Sequence, residues 1–239
     1  MTGCVVNVGA EEGRCDVSNT ANARTLSVVS EAVEPVSRQE RKQRTRQALL
    51  AAALDLLADR GFASLSLREV AKRAGIVPTA FYRHFASMEE LGVALVEESM
   101  RTLRGMIRAA RRRPGDYEQL IEASVRTLYE HVRAHEDHFR FLTRERYGGS
   151  GPVARAIGVE LRLFSSDLAI DLARFDQLRT WTTEDLHMLA ELIVTAMLAT
   201  VLELLETQPR DKETDERLIG VAEKRLRFLL AGVPHWVSR

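Results

Sequence analysis

The sequence predicts an all-α protein. Apolar residues recur at i, i+3, i+4, i+7 through most of the chain, and no segment alternates with period two for long enough to suggest a sheet. Breaks carrying Gly or Pro divide the periodic stretches into ordinary helix lengths. A chain of 239 residues accommodates one large domain, or a small one and a medium one.

Residues 1 to 36 mix Gly, Ser, Thr, Asn, Val and Glu without a period, which predicts a disordered tail. Both cysteines, Cys4 and Cys15, lie in it, so neither a disulfide framework nor a buried metal site is expected. A first helix is predicted over 39–60, where Leu50, Ala53, Leu54 and Leu57 form one apolar face and Gly61 is placed to stop it as a left-handed residue. Ser66-Leu67-Arg68-Glu69 matches the capping box, in which a hydroxyl and a carboxylate satisfy amides at a helix start. The short second helix carries Leu67, Val70, Ala71 and Ala74 on one stripe, with Gly75 as its stop. Pro78 suits the first turn of a third helix reaching Phe85. Ser87-Met88-Glu89-Glu90 reads as a second capping box, opening a long helix to about Arg112. Further helices are predicted over 116–133, 136–146, 152–175, 183–207 and 213–230, parted by Pro114-Gly115, the Gly148–Pro152 run and Gln208-Pro209.

The second and third helices, with a Gly-bearing turn between them, form a helix-turn-helix whose second member fits the major groove of DNA. Leu67, Val70, Ala71, Ile76, Phe81 and Phe85 supply its core. Thr79, Ala80, Tyr82, Arg83 and His84 are left to face outward. Arg, Tyr, Thr and His donate to phosphates or bases, and Ala contacts a thymine methyl. The formal net charge of the whole chain is zero, which argues against an architectural protein coated in nucleic acid. From Val36 to Phe85, however, ten Lys or Arg stand against four acids, a local net of +6.

An enzymatic reading finds no support: there is no Gly-x-Ser-x-Gly elbow and no phosphate loop, and the cysteines lie only in the tail. His131, His135 and His138 fall at i, i+4, i+7, which on one continuous helix would suggest zinc, but a helix boundary expected near 134–136 separates them. No cofactor and no metal are expected. No apolar run approaches the roughly 18 residues that span a bilayer, and residues 1–30 lack a signal-peptide pattern, so a cytoplasmic protein without a membrane partner is expected.

Across residues 42–92 the pattern Arg46, Ala51-Ala52, Leu56-Leu57, Gly61-Phe62, Ser66-Leu67-Arg68-Glu69-Val70-Ala71, Ala74-Gly75-Ile76, Phe81-Tyr82-Arg83-His84-Phe85 and Glu90-Leu91 resembles the TetR family of bacterial repressors. The resemblance implies a homodimer that pairs its eighth and ninth helices (about 183–207 and 213–230) and sets two recognition helices on a palindromic double-stranded operator. It implies that Arg68 reads a base, that Thr79 and Ala80 face the groove, and that Tyr82 and His84 meet phosphates. Many members place a Lys at the start of the fourth helix where this chain has Met88, so Arg44, Thr45 and Arg46 of the first helix are expected to substitute for that phosphate clamp. With Ser66, Leu67, Pro78 and Arg83 these make up the predicted DNA-facing set. The domain organisation expected is the tail 1–36, a DNA-binding domain 37–86, and a helical ligand-binding and dimerisation domain 87–239.

Phe62-Ala63-Ser64-Leu65, Phe139-Arg140-Phe141-Leu142-Thr143-Arg144-Glu145-Arg146 and His235-Trp236 add a narrower similarity, to the TetR-type repressors of unsaturated fatty-acid synthesis and desaturation. Those bind long-chain acyl-CoA, which implies this effector here. An acyl chain needs a long apolar tunnel, for which Leu103, Ile107, Leu128, Phe139, Leu142, Phe164 and Leu168 are the expected lining. The CoA phosphates need cations, offered by Arg144 and Arg146 with Arg140, or by Arg101, Arg104 and Arg108. A repressor of an efflux or catabolic operon answering to a drug-like or aromatic compound stands as the alternative, since apolar pockets are chemically alike in sequence.

Overall fold

The computed structural model describes residues 37–58, 60–111, 117–149, 151–208 and 211–238. The expected tail 1–36 lies outside them. Ser37–Arg239 forms one compact unit, and its described residues hold nine α-helices and no strand. They are α1 (Arg38–Leu56), α2 (Leu67–Arg73), α3 (Pro78–Phe81), α4 (Met88–Arg111), α5 (Tyr117–Ala134), α6 (Glu136–Gly148), α7 (Pro152–Leu172), α8 (Thr183–Glu206) and α9 (Lys212–Leu230). Short 3-10 turns at Phe62–Ser64 and Val233–His235 were not foreseen.

Local chemistry sets most of these ends. Ser37 and Glu40 form a capping box at the start of α1, and Ser66 and Glu69 form the predicted one at α2. α2 ends in a Schellman motif: Ile76 N–H donates to Ala71 O (3.0 Å), Gly75 N–H donates to Lys72 O (3.2 Å), and Gly75 has the left-handed φ of 72° this closure requires. Pro152 occupies the first turn of α7, while Thr182 and Asp211 cap α8 and α9.

Three local expectations are corrected. α1 stops at Leu56, four residues early, and Gly61 is extended (φ −75°), so it is no left-handed stop. α3 is regular only to Phe81; Tyr82–His84 continue as turns, although Phe85 N–H still donates to Phe81 O at 3.1 Å. At α4, Glu90 N–H donates to Ser87 Oγ (3.2 Å), but the Glu90 carboxylate accepts from Ala86 rather than from Ser87, one residue off the expected box.

α7 packs along both α4 and α8, α8 against α9, and α9 against α5, while α6 touches α1, α7 and α8. The core beneath the helix-turn-helix joins Leu49, Ala53, Val70, Phe81, Phe85 and Leu91 to Phe141 of α6 and to Val153 and Ile157 of α7. The helix-turn-helix and the helices that follow it therefore share one core. Gly92 permits this close crossing, since a Cβ there would lie 2.5 Å from the Phe62 ring and 2.7 Å from Val153. Separate clusters fill the layer of α4, α5, α8 and α9 and the layer of α7 and α8.

α8 qualifies, by length and composition alone, as a helix able to cross a bilayer, contrary to the sequence-based expectation. Only 39% of its most apolar stretch is buried.

Candidate DNA-binding face and ligand cavity

α2 and α3 are held by a small sealed core. Val70, Ala71, Phe81 and Phe85 are buried, and the Phe81 and Phe85 rings lie 5.7 Å apart. The Glu69 carboxylate accepts from Ser66 N–H (3.0 Å) and from Arg60 (3.1 Å), and these partners hold its pKa below the usual carboxylate value, the Ser66 hydroxyl first and Arg60 second. Ser66 thus spends its hydroxyl on the cap, and Leu67 packs partly into the core. Both of these predicted contact residues position α2.

On the opposite side, Arg68, Pro78, Thr79, Tyr82 and Arg83 are exposed, with Ala80 half-buried. His84 is half-buried, and its Nδ1 is buried with no hydrogen-bond partner among the described residues. Burial first, and then the charges of Lys42, Arg46 and Arg83, push its pKa down. Of the three α1 residues expected to clamp phosphate, only Arg44 is exposed. Thr45 Oγ1 donates to Arg41 O (2.9 Å), and Arg46 lies 4.3 Å over the Phe85 ring while donating to His84 O at 3.4 Å. Arg46 is therefore a brace between α1 and the end of α3, a role that sequence reasoning missed.

The second feature is a cavity of about 250 Å³ enclosed by α4 to α9. Of the residues expected to bind ligand, Leu103 and Ile107 of α4, Leu128 of α5, Phe139, Leu142 and Arg146 of α6, and Phe164 and Leu168 of α7 line it. Met197 and Val201 of α8 and Leu226 and Leu230 of α9 complete the wall and were not foreseen. Their i, i+4 apolar spacing made them indistinguishable from core.

Arg144 is corrected. It lies outside the lining, and its guanidinium donates to Leu57 O (3.0 Å) and Arg60 O (2.7 Å), closing carbonyls where α1 ends. Beside it the buried Glu145 carboxylate accepts from Phe62 N–H at 2.8 Å. One turn of α6 thus faces the cavity through Leu142 and Arg146 and grips the segment between α1 and α2 through Arg144 and Glu145. The other cations considered are engaged as well: Arg140 donates to Leu205 O (3.0 Å), Arg104 pairs with Glu160 (3.1 Å), and Arg108 pairs with Asp167 (2.5 Å). Arg101 is exposed and lines no part of the cavity.

The histidines also depart from expectation. α5 and α6 do part at His135, but the turn is tight enough to keep the rings together, with centroids 4.3 Å apart for His131 and His135 and 6.0 Å for His135 and His138. No group of three His, Cys, Asp or Glu among the described residues is set to hold a metal ion.

A basic helix-turn-helix joined through one core to a helical domain with an apolar cavity is the architecture of a DNA-binding regulator. Residues 49–95 match the family model for bacterial regulatory proteins of the tetR family, and residues 117–225 match that for the tetracyclin repressor-like C-terminal domain. Together the two matches span well over half of the chain, which belongs to the TetR family. It is a DNA-binding transcriptional regulator and not an enzyme.

Solved structures of similar fold include the fatty acid degradation regulator FadR from Bacillus halodurans, 18% identical, covering 79% of this chain and 95% of that one with a TM-score of 0.64. A putative transcriptional regulator from Pseudomonas aeruginosa PAO1 is 20% identical, covering 84% of this chain and 97% of that one, with a TM-score of 0.65. FadR from Bacillus subtilis, solved in complex with stearoyl-CoA, is 15% identical, covering 78% and 98% with a TM-score of 0.62.

Proposed function

We propose that the chain is a cytoplasmic homodimeric repressor that binds a palindromic operator and is modulated by long-chain acyl-CoA, controlling genes of lipid and unsaturated fatty-acid metabolism. The observation that carries the effector is the cavity wall, apolar almost throughout along the length of α7. FadR of Bacillus subtilis, of similar fold, holds stearoyl-CoA, which supports the same ligand class. In this reading Arg68, Thr79 and Ala80 face bases, while Arg44, Tyr82, Arg83 and His84 meet phosphates. The dimer forms through α8 and α9, whose outward apolar side chains Met188, Leu192 and Phe228 are exposed in the protomer.

A ligand shifts operator affinity only if it binds the two dimer geometries unequally, and a bent and a straight acyl chain fill an elongated cavity differently. The test takes an operator selected from random duplexes and measures its affinity by fluorescence anisotropy with palmitoyl-CoA, oleoyl-CoA, CoA alone and no ligand. The expected result is a change of several-fold with an acyl-CoA and none with CoA alone. Equal affinity in all four arms overturns the effector, and a response to aromatic drug-like compounds instead favours the efflux-type alternative.

A further inference from the structure

We propose that the cavity takes an anionic amphiphile in one orientation, with its charged head on Arg146 where α6 meets α7 and its chain running along α7 toward Phe175. This rests on the ligand reading above and adds a direction to it.

α7 lends the wall Ile157, Leu161, Phe164, Leu168 and Leu172, one face of the helix over about four turns, and Phe175 follows just beyond its end. At 1.5 Å per residue the helical stripe is about 22 Å long, so the lining is elongated and has two ends. The ends differ in chemistry. At the start of α7 stands Arg146, which lines the cavity and is exposed. Its guanidinium makes no ion pair among the described residues and lies only near the Tyr147 ring, at 5.5 Å. At the far end stand Arg174 and Asp171, both lining the cavity and 3.4 Å apart. An anion arriving there meets a cation already matched by a carboxylate, and repulsion from Asp171 offsets the attraction.

Between the ends the channel offers an anion nothing comparable. The Thr143 hydroxyl donates to Phe139 O (2.8 Å) within its own helix, leaving Ser124 as the other polar lining residue. A head on Arg146 sits next to Glu145 in sequence and two residues from Arg144, the pair that holds the end of α1 and Phe62. The charge of the ligand therefore acts on the turn of α6 that holds the segment leading from α1 into the helix-turn-helix.

The test measures binding of palmitoyl-CoA, palmitate and hexadecanol to the full chain and to Arg146→Ala, Arg146→Lys and Arg174→Ala, by displacement of a fluorescent fatty-acid probe. Loss of one charge-assisted contact predicts about a ten- to hundred-fold weakening of the anionic ligand in Arg146→Ala. Arg146→Lys should recover most of it, and Arg174→Ala, which only takes a cation from beside Asp171 at the far end, should weaken binding far less than Arg146→Ala. Tight palmitoyl-CoA with weak palmitate assigns the head to the CoA phosphates, and tight binding of both assigns it to any terminal anion; each supports the proposal.

The reverse pattern, with Arg174→Ala weakened and Arg146→Ala not, overturns the orientation, as does indistinguishable behaviour of the two. Hexadecanol binding as tightly as the anions overturns the charged head. A wild type that binds none of the three removes the ligand reading itself, a distinct outcome. Both arginines are exposed, so unchanged thermal unfolding of the variants confirms that binding alone was altered.

Discussion

Arg68 and Tyr82 both face outward, but Arg68 stands on α2, whose start is locked by the Ser66–Glu69 box, whereas Tyr82 follows the last regular residue of α3. A guanidinium presented from a rigid element makes a bidentate base contact, and a phenol hydroxyl gives one donor to a phosphate. Arg68→Ala is therefore expected to relax base preference by about 1–3 kcal/mol at one operator position, and Tyr82→Phe to weaken all sequences alike. Anisotropy on an operator and its single-base variants checks both; a Tyr82→Phe effect confined to one base position would reverse the assignment.

His131 makes a second residue-scale case. Burial first, and then the charges of His135 and His138, lower its pKa from 6.5 to about 4. The folded state then binds fewer protons than the unfolded chain between those values, so the stability present above pH 6.5 is lost as the pH falls toward 4. Between pH 7 and pH 5 this loss amounts to about 2 kcal/mol. Urea unfolding at the two pH values is expected to show a loss smaller by about that amount in His131→Leu than in the wild type, the remainder coming from other histidines of lowered pKa such as His138 and His84. The i, i+4, i+7 spacing of these histidines was legible in the sequence, but the turn that keeps their rings together was not, since it depends on how α5 and α6 pack.

At the scale of elements, α6 joins the two working parts. Phe139, Leu142 and Arg146 face the cavity, while Arg144 and Glu145 satisfy backbone groups between Leu57 and Phe62. Glu145→Ala leaves the Phe62 N–H without its carboxylate acceptor, which is expected to cost about 1–3 kcal/mol of stability. It should also lower operator affinity while palmitoyl-CoA affinity stays at the wild-type value, because Glu145 does not line the cavity. Equal losses in both affinities would show that α6 holds the cavity wall as well.

Helix starts such as Ser66 and Pro152 were readable because a cap is local chemistry. The roles of Arg46 and Arg144 were not, because an arginine that donates to a carbonyl 38, 84 or 87 residues away has the same sequence signature as one that meets a phosphate, and Glu145, which accepts from an amide 83 residues away, looks like any helix-surface acid. The cavity wall was half legible: periodicity marked inward-facing residues on each helix, and only packing decided which of them face a void.

For the whole molecule, the outer surface of α8 leaves apolar side chains uncovered in the protomer. The helix is apolar enough to span a membrane by composition, yet only 39% of its most apolar stretch is buried, with Met188 and Leu192 outward. On the adjoining α9, Phe228 is 82% exposed. In the proposed dimer a second copy of the same surface would cover all three in an isologous interface, bringing two recognition faces to one palindrome. Placing a charge at the centre of such an interface desolvates it without a partner. Leu192→Glu is therefore expected to sediment as a monomer at micromolar concentration while keeping its helical circular dichroism. Operator affinity should fall by about a hundred-fold or more, because the second half-site is no longer engaged within one assembly. A Leu192→Glu protein that stays dimeric and binds the operator normally would move the interface away from α8.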